Sequence, residues 1–208
     1  MKAAAPLLAL CAGLLCSAAL AQESADDTAF AAATEAVRAH DFAHAISLFQ
    51  PLAEKDMADA QYNLAVLYRL GRGFPQNFNE AYYWSALAVL GDGAYAADMV
   101  DELGGALPPK DRETVIDKIK TRLSAQIDAG DVAATRKLAR LFMELLEEPD
   151  YPEAYLWFSI CYALGNNACE EGRDEAAGEL EAEALSAAQE KTAATFAASA
   201  FGRAKPQE

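Results

Sequence analysis

The stretch DAQYNLAVLYRLGRGFPQNFNEAYYWSALAVLG, from Asp59 to Gly91, decides the fold. It returns later in altered form. Ala60, Leu64, Ala65, Leu67 and Tyr68 reappear 74 positions on as Ala134, Leu138, Ala139, Leu141 and Phe142, and Glu80-Ala81-Tyr82-x-Trp84 reappears as Glu153-Ala154-Tyr155-x-Trp157. Apolar residues spaced three and four apart mark helices, and a helical repeat buries its apolar face only by stacking on its neighbours. The expected product is all-α: a right-handed superhelical solenoid of about five antiparallel helix pairs, with a long binding surface and no obligatory catalytic pocket.

Working outward, the punctuation divides the chain into further helices. Ser24 to Asp27 caps a first helix reaching about His40, and Asp41 starts a second that ends at Lys55-Asp56. A third opens at Asp56 and stops at Gly71 and Gly73, with Pro75 preventing its restart, and Asn77-x-x-Glu80 caps a fourth that ends at Gly91-Asp92-Gly93. A fifth runs to Gly104-Gly105, Pro108-Pro109 introduces a sixth, and Gly130 separates the halves. The second half repeats the plan, with a helix from Asp131 to about Glu147 and another from Asp150. Ser186-x-x-Gln189 reads as a capping box for the last helix. Leu185 and Thr192 echo Leu107 and Thr114 at an offset of 78, which places a four-residue insertion in an exposed joint around Asn166 to Gly172.

Residues 1–21 have the form of a secretory signal peptide: Lys2, an apolar run, then Ala19-Leu20-Ala21 before Gln22. Expected domains are therefore the leader, a single solenoid over 22–203 and a frayed tail over 204–208, with the best repeat at 56–91 and a second at 130–165. No later run is apolar enough for stable membrane insertion, so a periplasmic or secreted protein is expected. No acid precedes Glu23 and the leader's one cation is Lys2, so cleavage moves the net charge from −15 to −16. A surface of that sign repels phosphate backbones and argues against nucleic acid, and it favours a basic partner or serves solubility alone.

With those residues in place, the 59–91 segment resembles a Sel1-like repeat, a relative of the tetratricopeptide repeat. The family's A-x-x-x-L-G-x-x-Y is matched by Ala60, Leu64, Ala65 and Tyr68, its G-x-G-V-P by Gly71, Gly73, Phe74 and Pro75, and its acidic-x-x-x-A by Asn77 and Ala81. Ala65 departs from the family's Gly, and in the second copy Leu145 and Glu147 stand where the paired glycines stood. The resemblance makes Ala60, Leu64, Leu67, Tyr68, Ala81, Trp84, Ala134, Leu138, Leu141, Phe142, Ala154 and Trp157 repeat core, and Gly71, Gly73 and Pro75 the turn. Exported cysteine-rich members tie two helices across a turn with the spacing of Cys161 and Cys169, which implies a disulfide here; a free thiol and an incomplete metal pair are the alternatives. Such a bridge closes a short loop and is worth about 2 kcal/mol.

Secreted relatives of that kind are linked to beta-lactam binding and hydrolysis, so catalytic patterns matter. No Ser is followed three positions on by Lys, and there is no G-x-S-x-G elbow. His40 and His44 flank Asp41, which reads as a cap rather than part of a metal site. Gly71-x-Gly73 and Gly91-x-Gly93 follow helices and are turn glycines, so no cofactor is expected. The acidic residues Glu170, Glu171, Asp174 and Glu175 read as a solvated helix face. Tyr62, Tyr83, Arg69 and Arg72 are the candidate partner-binding residues, with Tyr95 and Tyr155 similarly placed. The expected function is a non-catalytic scaffold in the cell envelope that binds another envelope protein or a peptide of one. The alternative is a cell-wall or polysaccharide-associated factor that binds or hydrolyses glycan or a beta-lactam; self-association through the end hairpins also stays open.

Overall fold

Asp41, Asn77, Asp131 and Asp150 each accept hydrogen bonds from backbone N–H groups in the first turn of the helix that follows. Such caps satisfy donors that a helix start leaves unpaired. The computed structural model describes residues 25–203; the leader and the 204–208 tail lie outside the described residues. Helix α1 covers 25–38. It is followed by α2 (Phe42–Glu54), α3 (Ala58–Leu70), α4 (Phe78–Leu90), α5 (Ala97–Ala106) and α6 (Pro109–Asp128). Then come α7 (Val132–Arg140), a π-helical turn (Leu141–Leu145), α8 (Tyr151–Ala163), a 3-10 turn (Asn167–Cys169), α9 (Glu170–Gly178), α10 (Ala182–Ala198) and α11 (Ala200–Arg203). No strand occurs among the described residues, and the fold is helical and repeat-like.

The helix starts keep a register. From α3 at Ala58 to α7 at Val132 is 74 positions; from Phe78 to Tyr151, Ala97 to Glu170 and Pro109 to Ala182 is 73 each. The chain is thus two four-helix units, α3–α6 and α7–α10, behind a leading α1–α2 pair in which Phe30 and Phe49 meet edge to face at 5.5 Å. One ion pair recurs in register: Lys118 with Glu80 at 2.8 Å, and Lys191 with Glu153.

Among the described residues six helices end alike. His40, Asp56, Gly71, Asp92, Gly130 and Gly165 adopt left-handed φ between 61° and 93°. The next N–H returns each time to a carbonyl five residues back, as in Met57 to Leu52 and Gly93 to Ala88. Gly73 is held tighter: with φ of 77°, a Cβ there would lie 2.4 Å from Ile46 Cδ1 and 3.0 Å from Phe42 Cβ. Only glycine lets this turn lie down on α2.

One core cluster runs from Ala33 to Leu145, and a smaller one gathers around α8. Ala60, Leu64, Leu67, Ala81, Trp84, Ala134, Leu138, Leu141 and Ala154 are buried, while Tyr68, Phe142 and Trp157 are half-buried and pack against the core. Cys161 and Cys169 lie at disulfide-bonding distance, Cα to Cα 6.0 Å, wholly buried. Their positions correspond to Ala88 and Ala96, also wholly buried.

Four boundary expectations are corrected. Asp56 is left-handed, so α3 begins at Ala58. The helix from Asp131 leaves α geometry at Arg140 and continues as the π turn. Ser186 lies inside α10, which starts at Ala182. There is no four-residue insertion: Leu107, just past α5, corresponds to Leu180 just past α9, whereas Leu185 is inside α10. Within the supposed exposed joint Cys169 is buried, and Gly172 meets Phe158, whose Cζ would sit 2.5 Å from an added Cβ.

Candidate functional site

Tyr62 and Arg69 lie seven residues apart in α3 and so share one face. They line a cavity of about 290 Å³ with Tyr95, Asp98, Met99 and Glu102. Tyr95 is 74% exposed, and its ring lies 6.3 Å from that of Tyr62 at an angle of 46°. Arg69 Nη2 meets Glu102 Oε1 at 2.7 Å with both side chains well exposed, a pair worth no more than about 1 kcal/mol and easily exchanged.

A second cavity, of about 310 Å³, lies between α7 and α9. Arg136, Met143, Ala168, Glu171, Gly172 and Glu175 line it, and they follow Tyr62, Arg69, Tyr95, Asp98, Met99 and Glu102 by 74 or 73 positions. The two cavities therefore occupy the same place in the two units. Their aromatic and cationic walls differ, but both keep exposed carboxylates four apart: Asp98 with Glu102, and Glu171 with Glu175. The acids read from sequence as a solvated face thus also edge a cavity. Arg173 pairs with Asp174 at 2.7 Å, which leaves Glu171 and Glu175 facing outward.

Arg122 of α6 and Arg136, Lys137 and Arg140 of α7 are drawn into ion pairs within the molecule. Asp56 Oδ1 accepts from Arg122 at 2.9 Å, and Asp56 Oδ2 meets Lys137 at 3.0 Å and Gln126 at 2.8 Å. Burial of Asp56 opposes its charge, but Lys137, Arg122 and Gln126 outweigh burial and hold the carboxyl below its ordinary range. Asp92 accepts from Arg136 at 2.6 Å and Arg140 at 2.9 Å; the Arg136 hydrogen bond comes first in lowering its pKa, against a burial cost. Arg140 also grips Glu144 at 2.7 Å. With so many cations paired internally, an approaching molecule meets an acidic surface.

The four candidate residues do not form one surface. Tyr62 and Arg69 come together, whereas Arg72 lies over the Phe42 ring at 5.3 Å. Tyr83 is a correction: it is 5% exposed, packed edge to face on Trp84 at 5.0 Å and covered by Lys118 at 3.9 Å, because its α4 face turns toward α6. The placement of Asp98, Glu102, Glu171 and Glu175 at the edge of two cavities was missed, although their matched i, i+4 spacing in register is visible in the sequence. Among the described residues no group of three or more His, Cys, Asp or Glu is placed to hold a metal, and no helix is long and apolar enough to cross a membrane. Asp41 caps α2 through His44 N–H, and His40 occupies the left-handed position before it.

No family model matches the chain, no curated protein matches it, and no solved structure matches it. The buried cysteine pair is compatible with an extracytoplasmic protein.

Proposed function

We propose that this chain is an exported Sel1-like scaffold, without catalytic activity, that holds a basic segment of another envelope protein across its two repeat-related grooves. The observation that carries the reading is the pair of carboxylates four residues apart, repeated in register at the edge of two equivalent cavities. A Lys or Arg side chain fits each pair, and Tyr62 and Tyr95 add aromatic area beside the first at low entropic cost. Two grooves on one body make binding bivalent, so modest sites give a firm complex. The five helix pairs stack in this reading as a right-handed superhelix, which the Asp59–Gly91 motif supports, and the form of residues 1–21 supports export. The tyrosine pair alone also suits sugar stacking, which keeps the glycan reading as the second choice.

Capture of the tagged mature protein's partner from its own envelope after mild crosslinking tests this. We expect one enriched protein, released by salt and lost when Asp98→Asn, Glu102→Gln, Glu171→Gln and Glu175→Gln are combined. Enrichment of wall fragments or sugar polymer, or capture indifferent to those substitutions, overturns it.

A further inference from the structure

The first unit carries a second unit on its back. Helix α7 packs on α6 and touches α4. Tyr82, Leu87, Leu90, Ile119 and Leu123 are nearly or wholly buried there, in one core with Ala134, Leu138 and Leu141 of the next unit. Seventy-three positions later stand Tyr155, Ile160, Ala163, Thr192 and Phe196. Among the described residues no third unit covers them. In place of a covered surface, α8 and α10 frame an open and mostly apolar cavity of about 250 Å³ lined by these five residues. Ala163 is exposed, and Tyr155, Thr192 and Phe196 are half-buried.

A further sign comes from Ser159, which also lines the cavity. It occupies the place of the wholly buried Ala86, yet its Oγ is shut off from solvent and has no hydrogen-bond partner. An unpaired buried hydroxyl costs about 1–3 kcal/mol, which a ligand bringing a polar atom to it recovers.

We infer that this terminal cavity is a docking groove for an amphipathic helix of a partner protein, seated on α8 and α10 as α7 is seated on α4 and α6. The last described helix, α11, is only four residues long and is too short to supply a covering helix. A second folded copy has no spare helix of the α7 kind to lend, because its α7 is already enclosed between units. What the groove asks of its occupant is the α7 pattern: small residues where backbones approach, as at Ala134 and Ala139, and large apolar ones at Leu138 and Leu141.

The probe is a synthetic peptide with the sequence of residues 130–146, titrated into the isotopically labelled mature protein while amide and methyl signals are followed. We expect saturable shifts centred on Tyr155, Ser159, Ile160 and Phe196, with Kd below about 1 mM. Ala193→Arg and, separately, Ala163→Arg change exposed residues at the groove and weaken binding about tenfold or more, near 1.4 kcal/mol. The variant combining Asp98→Asn and Glu102→Gln binds the peptide as wild type does, so this result stands apart from the acidic grooves. No shifts at millimolar peptide, shifts elsewhere, or shifts unchanged by both arginine variants overturn the proposal. So does a dimer by light scattering that either arginine variant converts to monomer, since the occupant is then a second copy.

Discussion

The turn that leaves α3 and the turn that leaves α7 join equivalent points by different routes. In the first, Asn77 N–H reaches Tyr68 O at 3.1 Å; in the second, Asp150 N–H reaches Phe142 O at 2.9 Å. The first route has eight residues between those positions and uses Gly71 and Gly73 in left-handed geometry. The second has seven, lacks both glycines, and widens into the π turn from Leu141 to Leu145. What is held constant is where each helix pair closes. How the chain gets there is free to drift, and the missing residue explains why the register falls from 74 to 73 at this turn.

The largest effect that separates the two turns is expected from Gly73→Val. It forces a β-branched residue into a left-handed φ and against Ile46 and Phe42, for a loss of about 3 kcal/mol in urea denaturation. Glu147→Val, at the corresponding site of the glycine-free turn, changes stability by less than about 0.5 kcal/mol. Equal losses at both sites would mean that the turns are not equivalent alternatives.

Next is the joint between units. Asp56→Asn leaves Arg122 and Lys137 without their shared anion, at a cost of about 2–3 kcal/mol at pH 7. Because the folded carboxyl titrates below its unfolded value, this contribution is complete above the unfolded pKa of about 4 and is lost as pH falls through the folded value. The difference between wild type and Asp56→Asn in denaturation should therefore be flat from pH 5 to 8 and shrink below about pH 4. A difference that grows on acidification contradicts the ion-pair origin.

The cysteine pair offers an exchange between units. Cys161→Ala with Cys169→Ala copies Ala88 and Ala96 of the first unit, so packing is nearly preserved and the loss, about 2 kcal/mol, is that of the crosslink. Hydrogen exchange should quicken in α9 and stay unchanged in α3 and α4. Global quickening would show that the bridge holds the whole array.

Much of this was legible beforehand. The Ala-x-x-x-Leu-Ala-x-Leu pattern and the paired Trp84 and Trp157 revealed the repeat, and the caps at Asp41, Asn77, Asp131 and Asp150 announce helix starts through local chemistry. The four-helix period was missed because the apolar echo between α5–α6 and α9–α10 is faint: buried Ile116, Ile119 and Leu123 become Gln189, Thr192 and Phe196, on which no further described unit packs. Leu185 and Thr192 then supplied a false alignment. Tyr83 was misplaced because α4 is apolar on nearly every side, so periodicity gives no outward face. The internal ion pairs were invisible, since Asp56 and Lys137 are brought together only by the stacking of units.

The smallest effect tests why the first unit has Asp56 and Asp92 where the second has Gly130 and Gly165. All four are left-handed helix ends, so glycine is the cheaper residue and an aspartate there needs compensation. Asp92 finds it in Arg136 and Arg140 of the following unit, but its side chain is 61% exposed and the pairing is screened by water. Among the described residues no further unit packs beyond Gly165 to bring it a cation. Asp92→Gly should thus lose the pairing, regain backbone ease, and change stability by less than about 1 kcal/mol at pH 7. Its pH signature has a definite sign: the folded carboxyl is lowered, so Asp92 stabilises above about pH 4 and Asp92→Gly matches or exceeds wild type at about pH 2. If the variant is less stable by the same amount at both pH values, the aspartate serves the turn itself and not the unit that follows it.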